Sequence, residues 1–447
     1  MGRAGRTGPR LRPPAAALLG LALLASVAGC GVVGAAGSDG GSGWVNRDVR
    51  VVSTVATGSG VAAMISLDGD RRLRTIVVDM ATGEVLWNQP AAMPGRPSSM
   101  GVQPPVVVPS GENAMVVAVE PRHGGQTPAV LVARDARSGK RRWVRPIMQT
   151  LGPQRCGRYV CLTAKTRGNT SGFTVLAASD GHVLWRADST RARVQHTGSG
   201  SVTLLRLGRA PVLSRHSLRT GEQQWSTSLG DVLGRAPNTG GRWRFTSSGR
   251  LLVGYIGPYR PSLSASVPGF GFFAVDIRTG EVVWRRPDLV RPYPGPAPSR
   301  FIIAGKTTIT DGYSAFGQID PRNGDVLVYI PRNRLPSYDW RVGLSADLGT
   351  LGLVPRHRNR QVTAFELRTG SRVSSGQVWT LCRPAPQQLA IEGAGGFFPP
   401  PVLCAYDLRS GDLVRDAGPP PRWFTTNGGG WQLWQDQRGA LHAVRGG

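Results

Sequence analysis

The sequence predicts an all-β protein, a β-propeller of four-stranded blades, and two observations lead to this prediction. A short phrase recurs along the chain, and its clearest copy is Asp276–Trp284. An apolar run enters the phrase, an Asp-x-x-Thr-Gly turn reverses the chain, and a second apolar run leaves through a tryptophan, which is the pattern of a β-hairpin. The turn glycine recurs with a mean step of roughly 47 residues, within the range of propeller blades. The eight turn glycines are Gly83, Gly139, Gly181, Gly221, Gly280, Gly324, Gly370 and Gly411.

The residue types of the turn have a physical reason. Glycine adopts a positive φ without steric cost, so it suits the last position of a short hairpin loop. An aspartate four residues earlier can accept hydrogen bonds from the amides of its own turn. This aspartate is present as Asp79, Asp135, Asp276, Asp320 and Asp407; Glu366 replaces it once, and Ala177 and Ser217 replace it in two copies. Because two copies lack any carboxylate, we expect the aspartate to stabilise the turn and to carry no chemistry.

A tryptophan four residues after the glycine is the second fixed point of the repeat. It is present as Trp87, Trp143, Trp185, Trp225 and Trp284, and is replaced by Val328, Ser374 and Arg415 in the last three copies. A buried tryptophan removes about 150–250 Å² of surface from water. We therefore expect these five side chains to dock between neighbouring repeats.

The pattern apolar-x-Ala-x-Asp-x-x-Thr-Gly-x-x-x-Trp resembles the tryptophan-docking repeat of the quinoprotein alcohol dehydrogenase-like β-propellers, the PQQ-like repeats. The resemblance covers nearly all of residues 45–445. It implies a propeller architecture. It implies less about function, because the superfamily contains quinone-dependent dehydrogenases and also non-enzymatic lipoproteins of outer-membrane protein assembly.

The N-terminal region predicts export. Residues 1–29 combine four arginines with an apolar run and end in small residues, as a secretory signal peptide does. Cys30 directly follows, which resembles a bacterial lipobox and predicts a lipidated cysteine; an ordinary signal peptide with an incidental cysteine stays open. Residues 30–43 are rich in glycine and serine and predict a flexible tether. The propeller is then expected over residues 44–447.

Ring closure leaves the blade number open. Strands are expected over 423–426, 431–436 and 440–445, and the segment 47–52 could supply the fourth strand and close the ring. We expect eight blades, if one degenerate unit is not a true blade; nine blades remain an alternative.

The cysteines indicate an oxidising compartment. Besides Cys30, the chain has two distant pairs, for which we expect disulfides Cys156–Cys161 and Cys382–Cys404. A metal site is the alternative reading of these four cysteines. Disulfides would place the protein outside the cytoplasm.

The charge balance favours anionic partners. The chain has 54 Lys and Arg against 27 Asp and Glu, a formal net charge of +27. Arginine greatly outnumbers lysine, which, with many glycines and prolines, is typical of a high-GC genome and indicates an actinobacterium. Contacts with anionic lipid headgroups or wall polymers are expected. Basic motifs interleaved with aromatic residues are absent from the sequence, so no specific nucleic-acid binding is expected.

The sequence offers no recognisable catalytic constellation. The six histidines show no metal-binding spacing, and no nucleophile has a partnered base. The vicinal cysteine pair that many quinone-dependent dehydrogenases carry is absent. We therefore expect no catalytic residues, no metal and no cofactor, with a pyrroloquinoline-quinone (PQQ) oxidoreductase as the alternative.

The predicted function is a non-catalytic binding scaffold, anchored to the membrane by its N-terminal lipid, for an unidentified cell-envelope protein. A structural wall protein that binds polyanions is a further alternative, and a monomer is expected. Pro- and Gly-rich insertions would lie on the rims of the propeller, where partners are usually met. The insertion 257–269 and its aromatic neighbours, Tyr255, Tyr259 and Phe270, are the expected contact residues.

Overall fold

The structure is a computed structural model. It describes residues 43–96, 101–110, 113–122, 129–165, 171–187, 192–198, 200–208, 210–237, 243–258, 268–291, 302–305, 315–337, 340–345, 347, 349–356, 361–381, 389–391, 395–397, 403–414, 430–436 and 440–445. These residues form an all-β fold, a β-propeller of antiparallel sheets. Within them, the one helical segment is a short 3-10 helix, Arg332–Arg334.

Six four-stranded sheets follow one another along the chain, and each runs in sequence order. We call them units 1 to 6. Unit 1 is β2 (Ala56–Gly58), β3 (Val61–Leu67), β4 (Leu73–Asp79) and β5 (Val85–Pro90); unit 2 is β6 (Val106–Ser110), β7 (Asn113–Pro121), β8 (Ala129–Asp135) and β9 (Arg141–Ile147); unit 3 is β10 (Gln149–Cys156), β11 (Tyr159–Lys165), β12 (Ser171–Ala177) and β13 (Val183–Ala187). Unit 4 is β14 (Ala192–Thr197), β15 (Ser201–Arg206), β16 (Val212–Ser217) and β17 (Gln223–Ser228); unit 5 is β18 (Trp243–Ser248), β19 (Leu251–Ile256), β20 (Gly271–Asp276) and β21 (Val282–Pro287); unit 6 is β22 (Leu289–Val290), β23 (Ile302–Gly305), β24 (Ala315–Ile319) and β25 (Val326–Pro331).

The C-terminal strands are less regular. Unit 7 is β26 (Trp340–Leu344), β27 (Thr350–Pro355), β28 (Thr363–Glu366) and β29 (Arg372–Val373), and unit 8 is β30 (Gln377–Leu381), β33 (Leu403–Asp407) and β34 (Leu413–Val414). Pairing of Leu344 with Trp379 joins units 7 and 8 into one seven-stranded sheet. Between them in sequence, β31 (Leu389–Ile391) pairs with β32 (Gly395–Phe397). Each of the eight units carries one copy of the turn phrase.

A closing sheet joins the two ends of the propeller. β1 (Gly43–Asn46) pairs with β36 (Leu441–Arg445), which pairs with β35 (Trp431–Gln435). The prediction that 47–52 supplies this strand is wrong. Val51 and Val52 are buried against unit 1 instead, and the Val52 amide donates to the Ile65 carbonyl oxygen at 2.9 Å. The predicted strand at 423–426 lies outside the described residues, and the blade number stays a prediction.

The turn phrase has one geometry throughout. All eight turn glycines have φ between +67° and +82°. In the clearest copy, the Asp276 carboxylate accepts hydrogen bonds from the Arg278 amide at 2.8 Å and the Thr279 amide at 3.3 Å. Burial alone would raise the pKa of Asp276, but these amides and the Arg250 guanidinium outweigh burial and lower it. The same turn amides are bonded by Asp79, Asp135 and Asp407.

Each tryptophan docks onto the turn of the next unit. The Trp143 indole N–H donates to the Ala178 carbonyl oxygen at 2.8 Å, and a Cβ added to Gly181 would lie 2.7 Å from the Trp143 ring. Two constraints therefore require glycine at position 181: its positive φ, and the Trp143 ring, which leaves no room for a Cβ. The Trp87, Trp185, Trp225 and Trp284 indoles donate in the same way to the carbonyls of Ala136, Leu218, Ile277 and Pro321. Trp87, Trp143 and Trp284 are buried, whereas Trp185 and Trp225 are half-buried.

The structure adds one docking tryptophan and ends the series after unit 6. Trp44 on β1 donates to the Met80 carbonyl oxygen at 2.8 Å and covers Gly83, so the closing sheet docks onto unit 1 as the units dock onto each other. Trp44 precedes Gly83 by 39 residues, close to the 40 residues from Trp284 to Gly324, so the sequence contains a signal for this contact. Val328 replaces the next tryptophan and covers the turn glycine less closely, since a Cβ added to Gly370 would lie 3.4 Å from Val328.

The core lies between consecutive units. One apolar cluster combines Val117 and Leu131 of unit 2 with Val160 and Leu176 of unit 3, and comparable clusters join units 4 with 5 and 6 with 7. The first strands of neighbouring units contact each other, as β2 does with β6 and β14 with β18. The first strands therefore lie on the inner side, and the last strand of each unit forms its outer edge.

No helix in the described ranges combines the length and apolarity that a membrane span needs.

Truncation of a docking tryptophan should destabilise the fold strongly. We expect Trp284→Ala to lower the free energy of unfolding by about 3–5 kcal/mol, because a buried aromatic ring and its hydrogen bond to Pro321 are lost. Val283→Ala is the matched control, since the Val283 side chain is 49 % exposed and its loss should cost below about 0.5 kcal/mol. Equal denaturation midpoints for the two variants would show that the tryptophans do not hold the units together.

The turn aspartates should make the fold sensitive to acid. The Ser138 amide, with smaller contributions from Arg142 and Arg137, lowers the pKa of Asp135 from 3.8 to about 2. A carboxylate with a depressed folded pKa stabilises the native state above its unfolded pKa, and this contribution is lost as the pH falls through the folded pKa. Stability should therefore decline between about pH 4 and pH 2, and less steeply in Asp135→Asn. Parallel pH profiles for the two proteins would contradict this assignment.

Candidate binding surface

The disulfide of unit 3 closes the hairpin between β10 and β11. Cys156 and Cys161 are bonded, with their Cα atoms 5.8 Å apart, and both are buried. Gly157, at φ +61°, makes the tight turn between them. Cys404 on β33 is also disulfide-bonded. Its expected partner, Cys382, and the expected lipidation residue, Cys30, lie outside the described residues.

The aromatic residues expected at the rim insertion are not all on the surface. Phe270 is 3 % exposed and packs in the core beside Val290, with the Arg235 guanidinium 5.8 Å from its ring centroid. The expectation that Phe270 contacts a partner is therefore wrong, because Phe270 directly precedes β20 and its ring fills the space between units 5 and 6. Tyr255 is half-buried and its ring centroid lies 4.7 Å from that of Phe272. Tyr259 and most of the insertion lie outside the described residues.

Two arginines lie near Tyr255 on the inner side of units 5 and 6. Arg244 on β18 is exposed and is the register partner of Tyr255, and Arg291 directly follows β22. Burial lowers the pKa of Arg291, and repulsion by Arg244 adds to this effect. Two neighbouring guanidinium groups attract anions, so this pair is a local feature that favours the expected polyanion contact.

Unit 4 contains a serine–histidine pair, which among the described side chains most resembles a nucleophile with its base. The Ser214 hydroxyl oxygen lies 3.0 Å from His216 Nε2, and His216 Nδ1 lies 3.1 Å from the Gly221 carbonyl oxygen. The sequence spacing of Ser214 and His216 does not by itself predict this pair. The Trp185 ring stacks on His216, with ring centroids 5.8 Å apart, so we assign the pair to the tryptophan docking of unit 4.

The outer strand of unit 6 has an apolar surface that the sequence analysis did not single out. On β25, Val326 is 38 % exposed, Leu327 55 % and Tyr329 59 %. The alternate residues Val328 and Ile330 are buried against unit 7. We call Val326, Leu327 and Tyr329 the β25 patch.

The β25 patch is specific to unit 6. In each of units 1 to 6, the third and fifth residues after the turn glycine occupy equivalent positions on the outer strand. These pairs are Leu86 and Asn88, Arg142 and Val144, Leu184 and Arg186, Gln224 and Ser226, Val283 and Arg285, and Leu327 and Tyr329. Five of the six pairs contain at least one polar residue, whereas unit 6 is apolar at both positions. Exposed patches of this kind mark interaction sites more often than isolated apolar residues do.

Basic residues lie at the end of the β25 patch. Arg332 and Arg334 belong to the 3-10 helix that directly follows β25, and both are exposed. At the start of the strand, Asp325 pairs with Arg286 at 3.0 Å. The patch therefore continues into positive charge at its C-terminal end.

The carboxylates of the turn phrases that we describe are occupied by contacts within the protein. The carboxylates of Asp79, Asp276 and Asp320 each accept turn amides and pair with an arginine, at 2.7, 2.5 and 2.6 Å. Within the described part of the chain, no three His, Cys, Asp or Glu side chains cluster closely enough to hold a metal ion.

Comparison with known proteins identifies the family. The sequence profile described as "Outer membrane protein assembly factor BamB" matches residues 20–187 and 169–331, which together span more than half of the chain. The protein is thus a PQQ-like β-propeller. It belongs to the BamB family of outer membrane protein assembly factors.

Solved structures are similar to this chain only at low sequence identity and with TM-scores below 0.5. BamB from Moraxella catarrhalis is 12 % identical with a TM-score of 0.42, and the match covers 90 % of this chain and 98 % of that one. Sqt1 from Saccharomyces cerevisiae is 9 % identical with a TM-score of 0.42, covering 90 % and 97 %. Quinohemoprotein alcohol dehydrogenase from Comamonas testosteroni is 12 % identical with a TM-score of 0.39, covering 85 % and 78 %. No curated protein matches the sequence. Similarities this low carry no functional argument.

Proposed function

We propose that the protein is an extracytoplasmic lipoprotein whose propeller is a non-catalytic scaffold that binds another envelope protein. The observation that carries the proposal is the β25 patch, an exposed apolar outer strand on a fold held rigid by docked tryptophans. The family description, an assembly factor, agrees with a protein that acts by binding. Three neighbouring exposed apolar side chains provide the hydrophobic contact on which stable protein association depends.

The anchoring part of the proposal rests on the sequence. A signal peptide over 1–29 precedes Cys30, and the tether over 30–43 leads directly into β1. Lipidation of Cys30 would then hold the propeller close to the membrane surface, within reach of envelope proteins. One acyl modification binds membranes reversibly, and a diacylglycerol binds far more firmly.

A PQQ oxidoreductase is not favoured by the residues present. The chain has no adjacent cysteines to contact the quinone, and the turn carboxylates that we describe are occupied by their own turns and by arginines. Dye-linked oxidation of an alcohol or sugar on addition of the quinone and calcium would establish the enzymatic alternative.

Polyanion binding is a second candidate function, favoured by the Arg244 and Arg291 pair and by the net charge of +27. Exposed charges are screened over a Debye length of about 8 Å at physiological salt. Binding to anionic lipid or wall polymer should therefore weaken strongly with added salt, whereas apolar contact through the β25 patch should persist.

The scaffold proposal predicts that one protein contact depends on the β25 patch. In the double variant Leu327→Asp, Tyr329→Asp, a crosslinked species formed on intact cells should disappear, because two charged side chains interrupt the apolar contact. The species should persist in Val144→Asp, which changes a side chain that is 39 % exposed on the outer strand of unit 2. Mass spectrometry of crosslinked products after washing at about 0.5 M salt, where the Debye length is well below 8 Å, gives the measurement. Loss of all products in the salt wash, together with an unchanged pattern in the double variant, would favour the polyanion function.

The anchor is tested separately. We expect Cys30→Ser to appear in the culture medium or in the soluble envelope fraction, because the variant cannot receive a diacylglycerol. Fractionation with a high-salt wash removes protein held only by charge. Persistent membrane association of Cys30→Ser after that wash would disprove lipid anchoring.

A further inference from the structure

The β25 strand has an available backbone edge. One edge pairs with β24, from Ala315 opposite Pro331 to Ile319 opposite Val326. Its other edge pairs with no described strand. The six residues Val326–Pro331 span about 20 Å at roughly 3.3 Å per residue, which is the length of an average strand. An extended segment could therefore pair along β25, with the bulge at Leu327 interrupting the regular spacing.

Outer edges of this kind are usually protected against pairing. Charged side chains, bulges and prolines are the common devices. Arg142, Arg186 and Arg285 supply a charge on the outer strands of units 2, 3 and 5. On β25, the residues between Asp325 and Pro331 are all apolar or aromatic. The bulge of this hairpin lies on β25 at Leu327, and the outer strands of units 1 to 5 have a bulge at the equivalent position, so the bulge does not distinguish unit 6. Among units 1 to 6, unit 6 is therefore distinguished by apolar side chains at both equivalent positions of the outer strand, Leu327 and Tyr329, with no charge on the strand.

The side chains of the patch would bind alternate residues of an added strand. Leu327 and Tyr329 are exposed on the same face, two residues apart. In a paired strand, side chains opposite each other lie about 4.5–5.5 Å apart, and aromatic and aliphatic pairs stabilise the sheet. An occupant with apolar side chains at alternate positions fits this spacing.

Charge decides between the candidate occupants. Arg332 and Arg334 are exposed at the end of the strand, and the whole chain carries a net charge of +27. A second copy of this chain would bring the same charge to the interface and would be repelled. An acidic segment would be attracted both by the helix after β25 and by the protein as a whole.

We propose that β25 is a docking strand, to which an extended segment of a partner protein, alternating apolar with acidic residues, adds as the next strand of unit 6. Main-chain hydrogen bonds would supply affinity, and contacts with Leu327, Tyr329 and the basic helix would supply specificity. This inference rests on the proposed scaffold function, because it names the kind of segment that the β25 patch binds.

The test uses the full-length protein in detergent and a defined probe, a short fluorescent peptide that alternates valine with glutamate. Fluorescence anisotropy should show binding that weakens at least about tenfold in Leu327→Asp, Tyr329→Asp and remains unchanged in Val144→Asp. Leu327→Thr, Tyr329→Thr, which keeps residues suited to strands, should also weaken binding. A peptide with lysine in place of glutamate should bind at least about tenfold more weakly than the acidic peptide.

Methylated peptides test strand pairing directly. Successive residues of a strand direct their N–H groups to opposite edges, so N-methylation of all valine amides and N-methylation of all glutamate amides block different edges. We expect one methylated peptide to lose binding and the other to retain it. Equal binding of both methylated peptides would disprove strand addition, as would equal binding of the probe to the wild-type protein and the double variant.

Two further outcomes separate the proposals. Concentration-dependent dimerisation of the wild-type protein, absent from the double variant in sedimentation equilibrium, would show that a second copy occupies the edge and would overturn the acidic-segment proposal. Absence of peptide binding, with the crosslinked envelope product still dependent on Leu327 and Tyr329, would disprove strand addition and leave the scaffold function intact.

Discussion

The fold depends on the docking of each tryptophan onto the turn of the next unit. One indole satisfies a turn carbonyl oxygen, covers a glycine that has no room for a Cβ, and fills the space between two sheets. The interaction recurs from Trp44 to Trp284, so it links the closing sheet and the first six units in order. Because each contact joins only neighbours, the stability of the propeller should be close to a sum over units and their interfaces. The turn aspartates support this arrangement, since they fix the loop whose carbonyl accepts the indole.

The docking series ends where the candidate binding surface begins. Val328 replaces the tryptophan on β25 and is buried with Ile330 against unit 7, while Leu327 and Tyr329 are exposed on the other face. The strand therefore serves two purposes: one face completes the core, and the other offers an apolar surface beside exposed arginines. A scaffold benefits from this arrangement, because a contact surface on a rigid strand loses little conformational entropy when a partner binds.

Much of the fold could be predicted from the sequence, because the repeat combines a turn, a strand period and a large aromatic residue at fixed spacing. Gly280 and Trp284 are sufficient to predict a hairpin and a contact with the next unit. The closing strand was misplaced because Val51 and Val52 are as apolar as a strand at that point would be, yet they pack on unit 1. The docking role of Trp44 was not predicted, because this residue lies outside any turn phrase.

The candidate surface was harder to predict, because exposure depends on whether a neighbouring sheet covers a given face of the strand. Phe270 is in an aromatic, Gly-rich stretch that resembles a surface loop, but its ring fills the gap between units 5 and 6. Leu327 and Tyr329 resemble core residues of an apolar strand, but more than half of each side chain is exposed. The alternation of residues along the sequence separates the two faces of β25, but it does not show which face packs against the neighbouring unit.

A double-mutant cycle between Trp143 and Gly181 tests the docking account most directly. A Cβ at residue 181 would lie 2.7 Å from the Trp143 ring, so Gly181→Ala should destabilise the protein less when Trp143 is already alanine. The account predicts a coupling free energy of about 0.5–3 kcal/mol between the two positions, measured by chemical denaturation. Additive effects, with a coupling free energy near zero, would show that the ring and the turn stabilise the propeller independently and would contradict the account.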